Sequence, residues 1–100
     1  MIDFQALQKR VYANKVSQGF NVTDVPLEFS LTYGELSEAF EAWRKRRDTV
    51  GEELADVLIY LMGMAEILHV DLESELIRKI EINEKRRYIR EEGVLRRVEE

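Results

Sequence analysis

Two acidic pairs define the chemistry open to this 100-residue chain. Glu35 and Glu38 lie three residues apart, and so do Glu53 and Asp56. On a helix, side chains at that spacing project side by side, with about 5–6 Å between Cβ atoms. Two such pairs on neighbouring antiparallel helices bring four carboxylates together. Oxygen-only ligands select hard cations such as Mg²⁺ or Mn²⁺. A bound cation removes the repulsion between the acids and the cost of burying an unpaired charge. The same spacing also fits a solvated acidic face, or ion pairs with Lys and Arg from the last helix. Patterning alone leaves these readings open.

The elements that carry the pairs are helices. The first is expected over about Asp3 to Gln18, with Phe4, Leu7, Val11 and Val16 near helical spacing and Gly19 as its stop. The second is expected over about Pro26 to Arg46, capped by Thr23 or Asp24. Gly34 inside it points to a close approach to the backbone. Thr49-Val50-Gly51-Glu52 matches a capping box and opens a third helix running to about Leu68. His69-Val70 forms a joint, and Asp71 caps a fourth helix expected to run to about Glu92, with Gly93 as its C′ residue. Residues 94–100 read as a frayed tail, which leaves residues 1–93 as a single helical domain.

The third helix is apolar all the way round, from Leu54 to Leu68, which marks a buried central helix. The second helix has one apolar face of Phe29, Tyr33, Leu36, Phe40 and Trp43. On its other side Leu27, Leu31 and Ala42 accompany Glu35 and Glu38. One short chain has little material to cover both sides. The expected fold is therefore an all-α, four-helix-bundle type whose core is completed by homo-oligomerisation.

Composition narrows the function. With 15 Lys+Arg against 20 Asp+Glu the net charge is −5, which argues against a nucleic acid polymer as partner. No Cys is present, so disulfides, thiolate metal sites and a Cys nucleophile are excluded. The longest apolar stretch, Leu54 to Leu68, contains Asp56 and Glu66 and falls short of the roughly 20 residues of a membrane span. No targeting pattern is visible at residues 1–10, so the cytoplasm is the expected location.

The combined pattern is more specific than its parts. Gly34-Glu35-Leu36-Ser37-Glu38-Ala39-Phe40 precedes Glu52-Glu53-Leu54-Ala55-Asp56-Val57-Leu58-Ile59-Tyr60. Val70-Asp71-Leu72 follows, and then the run from Lys79 to Tyr88. Over roughly Leu27 to Tyr88 the chain resembles the MazG-type all-α nucleoside triphosphate pyrophosphohydrolases, a group that includes small dCTP pyrophosphatase-like enzymes. The resemblance implies that Glu35, Glu38, Glu53 and Asp56 bind Mg²⁺. It implies hydrolysis of a (deoxy)nucleoside triphosphate to the monophosphate and pyrophosphate, in a homodimer or a dimer of dimers. One departure stands out: the family's Glu-Glu pair before the Gly-Glu-Leu segment is Leu31-Thr32 here. A non-catalytic nucleotide-binding or helical interaction protein is the alternative that this departure motivates.

Further roles follow from residue type. A non-ligating oxygen of Glu35 or Glu38 can take a proton from water. Lys79, Asn83 and Arg86 form one stripe that can hold a triphosphate, or else an ordinary solvated basic face. Tyr60, one turn from Asp56, can stack on a base or serve as a core tyrosine. Trp43, Phe20, Asn21, Asn14 and Lys15 are weaker candidates for a base pocket. His69 reads as structural, and Arg44 to Arg47 as a solvated helix end from which one cation can reach phosphate.

Overall fold

A computed structural model describes residues 1–98. Its four helices are α1 (Phe4–Gln18), α2 (Val25–Arg44), α3 (Val50–Ile67) and α4 (Leu72–Lys85). Three start on an aspartate whose carboxylate accepts a hydrogen bond from the first turn. Asp3 accepts from the Ala6 amide, Asp24 from Leu27 and Asp71 from Ser74. Thr49 precedes α3, but its side chain makes no cap hydrogen bond, so the expected capping box is not formed.

Three helices end in the same wrap. The amides of Phe20, Arg47 and Val70 reach back five residues, to the carbonyls of Lys15, Ala42 and Ala65. The turn requires a left-handed residue just before each of these amides. Gly19 (φ 75°) supplies it after α1, but Arg46 (φ 55°) and His69 (φ 59°) supply it after α2 and α3. A side chain in that region costs roughly 1–2 kcal/mol.

Helix α3 is central, with α2 on one flank and α1 on the other. The interior is built from small and flexible side chains: Ala39 and Ala42 of α2 and Met62, Met64 and Ala65 of α3 are its buried apolar residues. Gly63 lies where a Cβ would come within 2.9 Å of Lys15 Cδ, so its missing side chain is what lets Lys15 cross α3. At the other end, the buried Gln8 donates from Nε2 to Glu66 Oε1 (3.0 Å) and to the Val70 carbonyl (2.8 Å), clamping α1 to the end of α3.

Helix α2 is inside out. Its inward line is Glu28, Thr32, Glu35, Ala39 and Ala42, all buried or half-buried. The large apolar line of Phe29, Tyr33, Leu36, Phe40 and Trp43 points outward, and Trp43 is 65% exposed. Leu54, Leu58 and Leu61 of α3 are exposed too, so the third helix is not enclosed within one chain. Nothing lies within 4 Å of a Cβ placed on Gly34, so the close approach expected there does not occur within the chain.

The expectations after Ile82 are corrected. The fourth helix stops at Lys85, not Glu92, and Arg86 leaves it in extended geometry (φ −69°, ψ 140°). The chain then forms an antiparallel hairpin, β1 (Arg87–Glu91) and β2 (Val94–Val98). Gly93 is not a helix C′ residue. With Glu92 (φ 49°) it forms a two-residue turn with both φ positive (Gly93 φ 78°), the geometry whose twist matches paired strands. The physical reason is the loss of helical apolar spacing after Ile82, followed by a β-compatible run of Tyr88, Ile89, Val94, Leu95 and Val98. Most of the expected frayed tail is therefore strand β2, and residues 99 and 100 of it lie outside the described residues. The mostly helical, four-helix class holds, with the small hairpin added to it. Helix α4 touches α1 only near its start, where Glu73 Oε1 accepts from the Phe4 amide (3.1 Å), and no residue of α4 is buried.

Candidate functional site

The inward line of α2 faces α3, where Val50, Glu53, Val57 and Tyr60 are half-buried. The geometry thus brings Glu35 of α2 opposite Glu53 of α3. Carboxylate oxygens of Glu35, Glu38 and Glu53 all lie within 4.8 Å of one another, with Glu35 and Glu53 half-buried and Glu38 exposed. Asp56 is exposed outside this group of three, yet near enough to act on Glu35. Burial, then the negative charge of Glu38 and Asp56, raises the Glu35 carboxyl above its usual value. A hydrogen bond with Glu38 and the charge of Glu53 add to this. Among the described residues none of the four acids pairs with a Lys or Arg side chain. No such ion pair forms within the described chain, and the clustered hard oxygen donors could hold a divalent cation.

Thr32 occupies the next inward position on α2. Its hydroxyl donates to the Glu28 carbonyl (2.8 Å), so the side chain is folded back on its own helix.

A second region is a cleft of about 100 Å³ lined by Val11, Asn14, Lys15, Phe20, Ile59 and Tyr60. Tyr60 joins the two regions. Burial, followed by the charges of Glu35, Glu28, Asp56 and Glu38, raises its phenol above the usual value and keeps it protonated. Lys15 Nζ stands 5.3 Å from the centre of the Tyr60 ring, in cation–π contact.

The wall behind the cleft was not legible in the sequence. Glu28 is 1% exposed. Lys15 Nζ donates to its Oε1 (2.5 Å) and Asn21 Nδ2 donates to its Oε2 (3.0 Å). Asn21 Nδ2 also donates to the Asp24 carbonyl, and Asn21 Oδ1 accepts from the Asp24 amide. One buried carboxylate therefore ties α1, α2 and the loop between them. The available signal was its place in line with Thr32, Glu35, Ala39 and Ala42, a stripe of small and polar residues.

The remaining candidates are placed apart. Trp43 lies on the outward line of α2, its ring centre 6.0 Å from that of Phe40, and does not line the cleft. Lys79 lines an apolar groove with Phe4, Leu58, Leu61, Leu72 and Leu76. Asn83 is exposed on α4, and Arg86 is beyond the helix, so the expected stripe is shortened by its last member. Within one chain these three do not join the acidic cluster. Arg47 does: it lines a concavity with Ser37, Glu38, Glu41 and Glu53, turned there by the left-handed Arg46.

A family model described as MazG-like matches residues 30–98, which include both acidic pairs, α4 and the hairpin. The chain belongs to the MazG-like family. Among curated relatives, dCTP pyrophosphatase 1 of Rattus norvegicus and of Mus musculus are each 42% identical to this MazG-like chain over 64 residues. The Homo sapiens protein of the same name is 39% identical over 64 residues. Each match covers 53% of this chain and 38% of the relative, so the chain aligns with well under half of those proteins. No solved structure matches significantly. Among the described residues no helix is long and apolar enough to cross a membrane.

Proposed function

We propose that this MazG-like chain is a Mg²⁺-dependent nucleoside triphosphate pyrophosphohydrolase, converting a (deoxy)nucleoside triphosphate to the monophosphate and pyrophosphate. One observation carries the reading: Glu35, Glu38 and Glu53 converge, and none of them is ion-paired among the described residues. The names of the relatives support the substrate class.

Glu35, Glu38, Glu53 and Asp56 would hold the metal, with Mn²⁺ as a substitute. A divalent cation there supplies charge neutralisation at the phosphoryl oxygens and a more acidic bound water. Glu35 or Glu38 accepts the proton of the attacking water through an oxygen not engaged with metal. The water oxygen bonds to phosphorus, the bridge between the α and β phosphates breaks, and pyrophosphate leaves. Arg47, on the rim beside Glu38 and Glu53, draws in and holds phosphate charge. The base enters the cleft, where Phe20 and the protonated Tyr60 present aromatic surface and the exposed Asn14 an amide.

The domain works as a homodimer or homotetramer. Its outward apolar line on α2, including Trp43, belongs to the subunit contact. Lys79, Asn83 and Arg86 reach phosphate from a neighbouring subunit. Clearing unwanted nucleotides from the pool is the role this chemistry suits.

The test is product analysis over the full set of dNTPs and NTPs with Mg²⁺. Pyrophosphate and the monophosphate in equal amounts from at least one substrate is the expected result. Orthophosphate with the diphosphate overturns the reaction assignment. Thr32, folded back where the family often has a carboxylate, favours one second reading, nucleotide binding without turnover. Calorimetric binding by a folded protein that releases no product identifies that case.

A further inference from the structure

The proposed hydrolysis makes no use of the ion pair behind the cleft. Lys15 and Glu28 carry two charges into the interior, on side chains 10% and 1% exposed. Taking two charges out of water is expensive, and a well-packed apolar pair of similar volume often gives equal or greater stability. Stability alone therefore does not account for the pair. Its placement is also specific: the bare backbone of Gly63 leaves the passage through which the Lys15 side chain reaches Glu28.

The two partners are satisfied unequally. Both Glu28 oxygens are engaged, Oε1 by Lys15 Nζ and Oε2 by Asn21 Nδ2. The Lys15 ammonium has three N–H donors. One goes to Glu28, and among the described residues no other oxygen accepts from it. Nζ also stands 5.3 Å from the centre of the Tyr60 ring, and Lys15 and Tyr60 both line the cleft. A side chain nine-tenths buried thus holds spare donors at the wall of a cavity. Donors left unmade in the interior are costly, so a ligand oxygen placed there gains a strong hydrogen bond.

The surroundings define the acceptor. Glu28 already neutralises the ammonium, so the site offers a hydrogen bond without net positive charge, which suits a neutral oxygen better than a phosphate. Val11, Ile59, Phe20 and Tyr60 supply aliphatic and aromatic surface around it. Such a lining takes the flat face of a nucleobase. Bases differ in what their edges present to a donor. Guanine, thymine, uracil and cytosine each carry a carbonyl oxygen, whereas adenine carries ring nitrogens and an amino group that is itself a donor.

We infer that Lys15 Nζ donates to a carbonyl oxygen of the bound base, and so selects nucleotides with a carbonyl-bearing base over those with adenine. Glu28 is a positioning residue that holds the ammonium at the wall, and Asn21 fixes Glu28. This role rests on the nucleotide reading proposed above, names the class of base, and is independent of turnover.

The test is calorimetric binding, with Mg²⁺, of the α,β-imido analogues of dCTP, dTTP, dGTP and dATP, which cannot release pyrophosphate. The wild type is compared with the double variant Lys15→Met with Glu28→Met, its folding checked by urea unfolding. The wild type should bind at least one carbonyl-bearing analogue about tenfold or more tighter than the adenine analogue. The double variant should bind that same analogue about tenfold or more weakly than the wild type does, while its affinity for the adenine analogue moves by less than about threefold. A merely structural role for the pair would weaken all four analogues alike, and that result in a folded double variant overturns the inference. Equal affinity of the wild type for the adenine analogue and the tightest of the others overturns it too, whether or not the double variant folds. No binding of any analogue by the folded wild type overturns it together with the nucleotide reading.

Discussion

Replacing Glu28 by Ala tests the wall behind the cleft. The carboxylate is 1% exposed and receives both Lys15 Nζ (2.5 Å) and Asn21 Nδ2 (3.0 Å). Removing it leaves the Lys15 ammonium, on a side chain only 10% exposed, without its counter-ion. Uncompensated burial of this kind costs about 3–5 kcal/mol. For a domain of this size each kcal/mol lowers Tm by about 4–8 °C, so a fall on the order of 12–40 °C is expected. Lys15→Met with Glu28→Met removes both charges and should recover most of the loss, because a matched apolar pair often replaces a buried ion pair at little cost. The assay is urea unfolding at pH 7 and fixed protein concentration for the wild type, both single variants and the double variant. A Glu28→Ala cost below about 1 kcal/mol would mean that water reaches the pair. The account of Lys15 and Tyr60 as a fixed wall would then fail.

Glu35 gives a pH prediction with a definite sign. Its folded-state value is raised above 4.5 by burial and neighbouring acids, so the folded chain holds the proton more tightly than the unfolded chain. That contribution is full below pH 4.5 and is lost as pH rises through the raised value. In EDTA, Glu35→Gln should therefore gain stability relative to wild type as pH goes from 4.5 to 7, and should lose the rise in Tm that Mg²⁺ gives the wild type; a constant difference between the two proteins contradicts this. Asp71→Ala removes a cap whose carboxylate accepts from the Ser74 amide and hydroxyl, and should cost about 1 kcal/mol in urea unfolding. His69→Gly relieves a left-handed side chain at the end of α3 and should raise stability by about 0.5–1 kcal/mol after the added freedom of the unfolded chain is counted.

Much of the scaffold was readable because its signals are local. Asp3, Asp24 and Asp71 mark three helix starts, and Gly19 marks one end. The acidic pairs were readable because i,i+3 spacing fixes which side chains share a face. What was not readable depends on partners distant in sequence. Glu28 looks like any acid in a first turn until Lys15, thirteen residues earlier, crosses over Gly63 to meet it. The apolar line of α2 could not be assigned to inside or outside, since periodicity gives a face but not its neighbour. The hairpin was hidden by Gly93, which serves equally as a helix stop and as the second residue of a tight turn. The end of apolar spacing at Ile82 was the better guide.

The central claim is that Glu35, Glu38, Glu53 and Asp56 hold a divalent cation on which a nucleoside triphosphate is hydrolysed. The most direct measurement is pyrophosphate release from dCTP with Mg²⁺ by the wild type and by Glu53→Gln, side by side and both shown to be folded. Steady release by the wild type and at least a 100-fold loss in the variant is the predicted result. Equal release by the two proteins would contradict the site, and no release by the folded wild type from dCTP or any other nucleoside triphosphate would contradict the activity.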